Sequence, residues 1–171
     1  MLKRYAGLRC NDVEVRIKSL TITSTVKFGW AVGTDATTRP TSFTQIRDCV
    51  AIAGISLSAD TIDVTPLENK FREYVEGIKD TGGSWDITFN FNSVSIADWE
   101  ALQAASAAGT ADNKATWACI WIPNFAKSFY VKFTPGEIPL PEFSVGSAFQ
   151  GAISCTVNSY EGLATAIEPQ E

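Results

Sequence analysis

Between Ser84 and Phe91 every second side chain is apolar: Trp85, Ile87, Phe89 and Phe91 alternate with Ser84, Asp86, Thr88 and Asn90. A period of two is that of a strand with one face in a core and the other in water. The segment is therefore expected to be a core strand, with the fold β-rich around it. Just upstream this order is lost. Residues 60–83 form a long excursion; between Pro66 and Thr81, with the flanking Asp63, its charges on Glu68, Lys70, Arg72, Glu73, Glu76, Lys79 and Asp80 are interleaved with Phe71, Tyr74, Val75 and Ile78. A connection this long in a compact domain is usually functional or disordered. Two readings are open. The four apolar residues fall at helical spacing, which predicts about two helical turns over Lys70–Glu76, stopped at Gly77 and lying on their own sheet. Alternatively, the excursion is a subunit-to-subunit contact, which is the reading favoured by so many exposed aromatics among charges.

The length of 171 residues suits one domain with a real core. At 45% hydrophobic and 19% charged residues, the composition is that of a globular chain. No apolar run approaches the ~18 residues of a membrane helix. Residues 1–12 carry basic side chains with no apolar segment behind them, so no secretory signal is read and a cytoplasmic location, or a particle assembled in the cytoplasm, is expected. Cys10, Cys49, Cys119 and Cys155 are too far apart in sequence for a metal-ligand pair and are expected as free, buried thiols. The absence of histidine removes the commonest metal ligand and general base. A net charge of −5 argues against a phosphate-seeking surface.

Along the chain, Val13, Val15 and Ile17 alternate with charged residues, and the phase flips at Ser19. Leu20, Ile22, Val26, Phe28, Trp30 and Val32 then hold the even positions. Residues 33–47 read as an exposed, turn-rich loop around Pro40. Residues 49–57 return to strand with a phase change at Gly54. After the core strand, Ser95 is expected to cap a helix of about 13 residues, with Asp98 near its start and Gly109 at its end. Ile96, Trp99, Leu102 and Ala105 would form its apolar stripe. Ala115–Ile122 is apolar on both faces, as in a central strand. Trp117 and Trp121 share one face there, and their surroundings favour core over a stacking platform. Phe129, Val131 and Phe133 line one side of the next strand. Pro135, Pro139 and Pro141 mark an extended crossover, and Ile153, Cys155 and Val157 point inward from the closing strand. The short acidic tail, 161–171, is expected to be ordered only by a neighbour. The chain thus reads as a single domain, 1–171, mainly β: an antiparallel sandwich or partly closed barrel with one flanking helix.

Candidate chemistry is thin. Glu73 and Glu76 sit in a wet, charged stretch unsuited to acid–base work. Asp60 and Asp63 lack a loop of alternating oxygen ligands. Gly82-Gly83 has no following lysine and leads into a strand rather than a helix. No enzyme, cofactor or metal is expected.

The stretch LSADTIDVTPLENKFREYVEGIKDTGGSWDITFNF resembles the central signature of the major tail tube proteins of long, non-contractile-tailed bacteriophages. PLPEFSVGSAFQGAISCTVNSYEG is similar to that family's closing segment, and SIADWEALQAA to the helix between. The similarity spans roughly residues 49–160. It implies a β-sandwich with a flanking helix, six copies per ring, rings stacked into a tube in the virion tail, and DNA passing through the lumen at ejection without specific binding. Tape measure, tail terminator and baseplate proteins would be partners. Carried onto this chain, Asp63, Glu68, Lys70, Arg72, Glu73, Tyr74, Glu76 and Lys79 would make the ring-stacking contact. Six copies at −5 would give −30 per ring, a sign that repels phosphate in a lumen. The tube proteins of contractile tails and of type VI secretion share the implied fold and are the near alternatives; a small ligand-binding β-barrel using Trp117 and Trp121 is the more distant one.

Overall fold

The computed structural model describes residues 25–171 apart from Asn69 and Gly82. The alternating stretch Val13–Ile17, the phase flip at Ser19, and Cys10 lie outside the described residues. The described residues form nine strands and one helix: β1 (Lys27–Val32), β2 (Thr44–Ile46), β3 (Cys49–Ile52), β4 (Ser58–Asp63), β5 (Tyr74–Asp80), β6 (Ser84–Asn90), α1 (Ser93–Ala111), β7 (Thr116–Trp121), β8 (Lys127–Thr134) and β9 (Gln150–Thr165). Seven strands form one antiparallel sheet in the order β2-β1-β7-β8-β9-β6-β3. β4 and β5 form a separate two-stranded sheet. The fold is mainly β and sandwich-like, with no closed barrel among the described residues.

The sheet is rolled. Its two edge strands, β2 and β3, are separated in sequence only by Arg47 and Asp48. Phe28 of β1 lies 5.9 Å from Trp85 and 6.2 Å from Phe89 of β6, and 6.3 Å from Phe133 of β8, ring centre to ring centre. β9 makes the bend possible. Its first part pairs with β6 and its later part with β8, and two register shifts in β8 turn the ladder. Trp85, Ile87 and Phe89 are buried on β6, and Phe91 is buried one residue past its end. Ile153, Cys155 and Val157 of β9 join the same core. Burial pushes the Cys155 thiol up to about 11 and the Cys49 thiol up to about 12, so both stay protonated.

The helix begins earlier and ends later than its sequence signals suggest. Asn92, not Ser95, is the cap: its side-chain oxygen accepts the backbone N–H groups of Val94 and Ser95 at 2.9 Å each. The Ser95 hydroxyl accepts the Asn92 N–H in return, closing a capping box. Gly109 is a contact point rather than a stop. A Cβ there would sit 2.6 Å from Val32, so the helix approaches β1 closely. The buried stripe is Ser95, Trp99, Leu102, Ser106 and Gly109, with Ile96 half-buried and packed against the core. The indole N–H of Trp99 and the amide of Gln103 both donate to Gly136 O, at 3.0 and 2.8 Å, and pin the start of the proline-rich crossover.

Two segments expected to be loose are held by this domain. Within 33–47, Phe43 and Ile46 are buried and residues 44–46 form β2. Asp35 organises the rest by accepting the Thr38 hydroxyl at 2.7 Å and the N–H groups of Thr38 and Thr37 at 2.6 and 2.7 Å, which together hold its carboxyl well below the usual range. Of the tail, residues 161–165 belong to β9, and residues 166–170 fold over the outer face of β1, β7 and β8. Pro169 is fully buried, and a Cβ on Gly29 would lie 2.5 Å from its ring. Gln170 exchanges backbone hydrogen bonds with Phe43 and Gln45 at 2.9 and 2.7 Å. Lys27 pairs with Glu168 at 2.5 Å. The tail therefore needs no neighbour, because β1 offers a glycine-floored slot for a proline.

These contacts have two measurable consequences. Arg47 grips Asp98 of α1 through two hydrogen bonds of 3.0 and 3.1 Å, and this pulls the Asp98 carboxyl below its ordinary 3.8. A depressed folded-state value means that the pair stabilises the fold above the unfolded-chain value and ceases to do so as pH falls through the folded one. In thermal melts across pH, Asp98→Asn is expected to be less stable than the parent near neutrality and to converge with it in acid. Gly29→Ala is expected to destabilise the fold by about 1–3 kcal/mol through its clash with Pro169, read as a lowered melting midpoint.

Candidate assembly interface

β3 and β6 are hydrogen-bonded neighbours, Ile52 opposite Ile87. Two such strands can be joined by a tight turn of two residues or so. Here they are joined by residues 53–83, which leave the sheet, form the β4–β5 hairpin and return. The sheet has no need of this detour.

The hairpin is a strand pair from Tyr74 onward, not a helix. Gly77 lies within β5, beside a register shift that lets Ala59 face Lys79 while Thr61 faces Glu76. That bulge sets Val75 and Ile78 three residues apart, a spacing that mimics a helix in the sequence. Cross-strand partners share a face. Asp63 with Tyr74 and Thr61 with Glu76 therefore form one face, and Ile62 with Val75 the other, which Asp60 and the Ser58–Asp80 pair share.

On the polar face the charges largely answer one another. Arg72 Nη1 lies 3.9 Å from Asp63 and donates to the Tyr74 hydroxyl at 3.4 Å. Lys79 lies 3.4 Å from Glu76. Thr65 donates to the Asp63 carboxylate from its hydroxyl and from its N–H, and these bonds lower the Asp63 pKa. The Glu73 N–H donates to the Thr65 hydroxyl at 2.8 Å and the Glu73 carbonyl accepts the Val64 N–H at 3.0 Å, closing the tip. Glu68 and Lys70 sit exposed at the tip, with no ion pair among the described residues. Of the eight residues expected to make the contact, the structure thus joins Asp63, Arg72 and Tyr74 in one group and Glu76 with Lys79 in another.

The larger signal lies in residues outside that set. Ile62, Val75 and Ile78 are 55%, 52% and 89% exposed, and Leu67 and Phe71 are more than four-fifths exposed. No residue of β4 or β5 is buried. Their hydrophobicity was visible in the sequence, where Phe71, Val75 and Ile78 fall at helical spacing; Val75 and Ile78 instead lie on a strand. A two-stranded ribbon with neither face covered is marginally stable alone, and contiguous exposed apolar surface marks an interaction site.

A second exposed apolar segment carries Leu140, Phe143 and Val145, with Phe143 stacked on Phe149 at 5.3 Å. The tryptophan pair offers no comparable surface. Trp117 is buried beneath the Lys132 ammonium, 4.7 Å from its ring, and Trp121 is half-buried under Lys27. An open platform for sugars or bases is therefore not formed. Among the described residues no group of three potential metal ligands comes together, and no helix is long and apolar enough to cross a membrane.

No family model matches the chain, and no curated protein matches it in sequence. Several solved structures are similar in fold. One is the tail of an empty gene transfer agent particle refined with C6 symmetry: 22% identity, 73% of this chain and 87% of that one covered, TM-score 0.48. Another is the six-fold symmetrised baseplate of the anti-feeding prophage: 8% identity, 86% and 95% covered, TM-score 0.49. A third is the activated baseplate of phage p2: 10% identity, 79% and 44% covered, TM-score 0.41. These neighbours come from tails and baseplates. With TM-scores below 0.5, the likenesses carry no argument about role.

Because the hairpin adds nothing to the core, the two regions are expected to respond differently to substitution. Ile78→Asp should leave the unfolding free energy of the monomer within about 0.5 kcal/mol of the parent. Trp85→Ala should cost about 3–5 kcal/mol. Denaturant melts of dilute protein compare the two directly.

Proposed function

We propose that the chain is a structural subunit of a phage tail tube. Six copies form a ring, rings stack into a tube, and the lumen conducts DNA at ejection. The observation that carries this reading is the β4–β5 hairpin, a connection between adjacent strands enlarged into a ribbon with neither face covered, exposing Ile62, Val75 and Ile78 among its charges. The signature in residues 49–160 supports it. So does the net charge of −5, which suits a surface past which DNA slides. Partners on this reading are other copies of the chain, together with tape measure, terminator and baseplate proteins. The subunit would be assembled in the host cytoplasm and reside in the virion, and no reaction is assigned to it. The residues proposed for stacking are Asp63, Glu68, Lys70, Arg72, Glu73, Tyr74, Glu76 and Lys79, with Ile62, Phe71, Val75 and Ile78 added from the exposed faces.

Purified protein at high concentration is expected to form rings or tubes in negative-stain images. Arg72→Glu and Glu73→Arg, made singly, are expected to impair tube growth while leaving the monomer's circular dichroism unchanged. A chain that stays monomeric at every concentration would rule out the tube role, and variants that grow normal tubes would remove these two side chains from the contact.

A further inference from the structure

Where the rolled sheet fails to close, an open apolar groove of about 510 Å³ runs between the β3 side and the β7–β8 end. Its walls include Ile52, Ile55, Ile120, Ile122, Phe129 and Tyr160, and none of the residues lining it is charged. β3 is the last strand of the sheet, and its outer edge has no partner among the described residues. An exposed strand edge beside an apolar trough is a template for another chain.

We propose that Ile62 and Val75 of the β4–β5 hairpin of one copy, with Ile78 at the bulge, seat in this groove of a second copy, while Asp60 and Asp80, which share their face, stay at its rim. The proposal rests on the self-assembly reading above and names the receptor for the hairpin. Three observations select the pair. The hairpin's apolar side chains are exposed, so its own chain does not cover them. The volume is that of a small-ligand cleft, enough for a few aliphatic side chains. Charge decides between receptors. From Ser58 to Asp80 the hairpin has six acidic and three basic residues, a net of −3. The rival apolar segment around Phe143 carries Glu137 and Glu142 and no basic residue between them, so it would repel the hairpin. The groove has no carboxylate in its lining, and Lys127, on the same side of β8 as Phe129, has no ion pair among the described residues. Hairpin and groove are different patches of one chain, so the contact is head-to-tail and propagates or closes into a ring.

A head-to-tail contact predicts complementation. Val75→Asp spoils the hairpin and Val50→Glu spoils the groove rim, where Val50 is already 49% exposed. Each full-length variant alone is expected to associate roughly tenfold or more weakly than the parent. Their equimolar mixture should form one-to-one dimers in sedimentation, since one intact hairpin and one intact groove remain. A benzophenone side chain placed at position 78 should crosslink between chains to residues 49–55 or 120–131. Parent-like assembly by Val50→Glu, a mixture that stays monomeric, or crosslinks to residues 137–149 or to α1 would overturn the groove as receptor while leaving ring formation intact. A probe at position 50 that crosslinks within one chain to residues 1–24 would assign the groove to that segment and overturn the proposal. A parent chain that never associates would overturn both this inference and the tube role.

Discussion

The contact of Phe28 with Trp85, Phe89 and Phe133 holds the roll together. It joins β1, near one edge of the sheet, to β6, near the other, through rings 5.9 and 6.2 Å apart, and to Phe133 of β8 at 6.3 Å. Tilted and edge-to-face aromatic pairs add roughly 0.5–1.5 kcal/mol each beyond the area they bury. Without this interlock the seven strands would form an open sheet with two distant edges. With it, the edges approach closely enough for Arg47 and Asp48 alone to span them. Both spanning residues are tied to the start of α1, Arg47 through Asp98 and Asp48 through the Asn92 amide at 2.7 Å. The helix N-terminus thus clamps the corner that the aromatic cluster creates.

The rolled geometry also explains what remains open. Clamped at the Arg47–Asp48 corner, β2 and β3 are close at one end only. At the other end β3 runs on through Ala53, whose carbonyl accepts the Trp85 indole N–H at 2.8 Å, and then departs towards the hairpin. The groove and the hairpin therefore have one origin, the chain leaving the sheet after Ile52. An insertion elsewhere could be removed without exposing the core. Here the same residues that launch the ribbon also form a wall of the trough.

Strand character was legible wherever one face is buried. Trp85 to Phe91 and Ile153 to Val157 alternate because the core demands it, and β7 reads as central because both of its faces are covered. The hairpin was legible as an anomaly but not as a structure. With neither face buried, nothing enforces a period of two, and the bulge at Gly77 replaces it with a spacing of three. The tail misled for a different reason. Short and acidic, it suggested order only against a neighbour, whereas its order depends on Pro169 meeting a glycine at position 29, a match of shape invisible in either segment alone. The helix cap moved because Asn92 and Ser95 are both good cap residues, and the reciprocal hydrogen bond settles which one starts the helix.

Within the candidate interface, magnitudes separate the two faces of the hairpin. Exposed ion pairs such as Glu76–Lys79 are worth about 0–1 kcal/mol, and the Arg72–Asp63 pair is long at 3.9 Å. Covering a fully exposed isoleucine or phenylalanine is worth about 1.5–3 kcal/mol. Ile62, Phe71, Val75 and Ile78 together therefore outweigh the charged set several-fold, even after the losses of ordering both partners. The charges are not idle. Already neutralised in part within the ribbon, they lose little on assembly, while a net of −3 from Ser58 to Asp80 excludes acidic partners. In the proposed contact, apolar surface would set how tightly the ribbon is held, and charge which surface holds it.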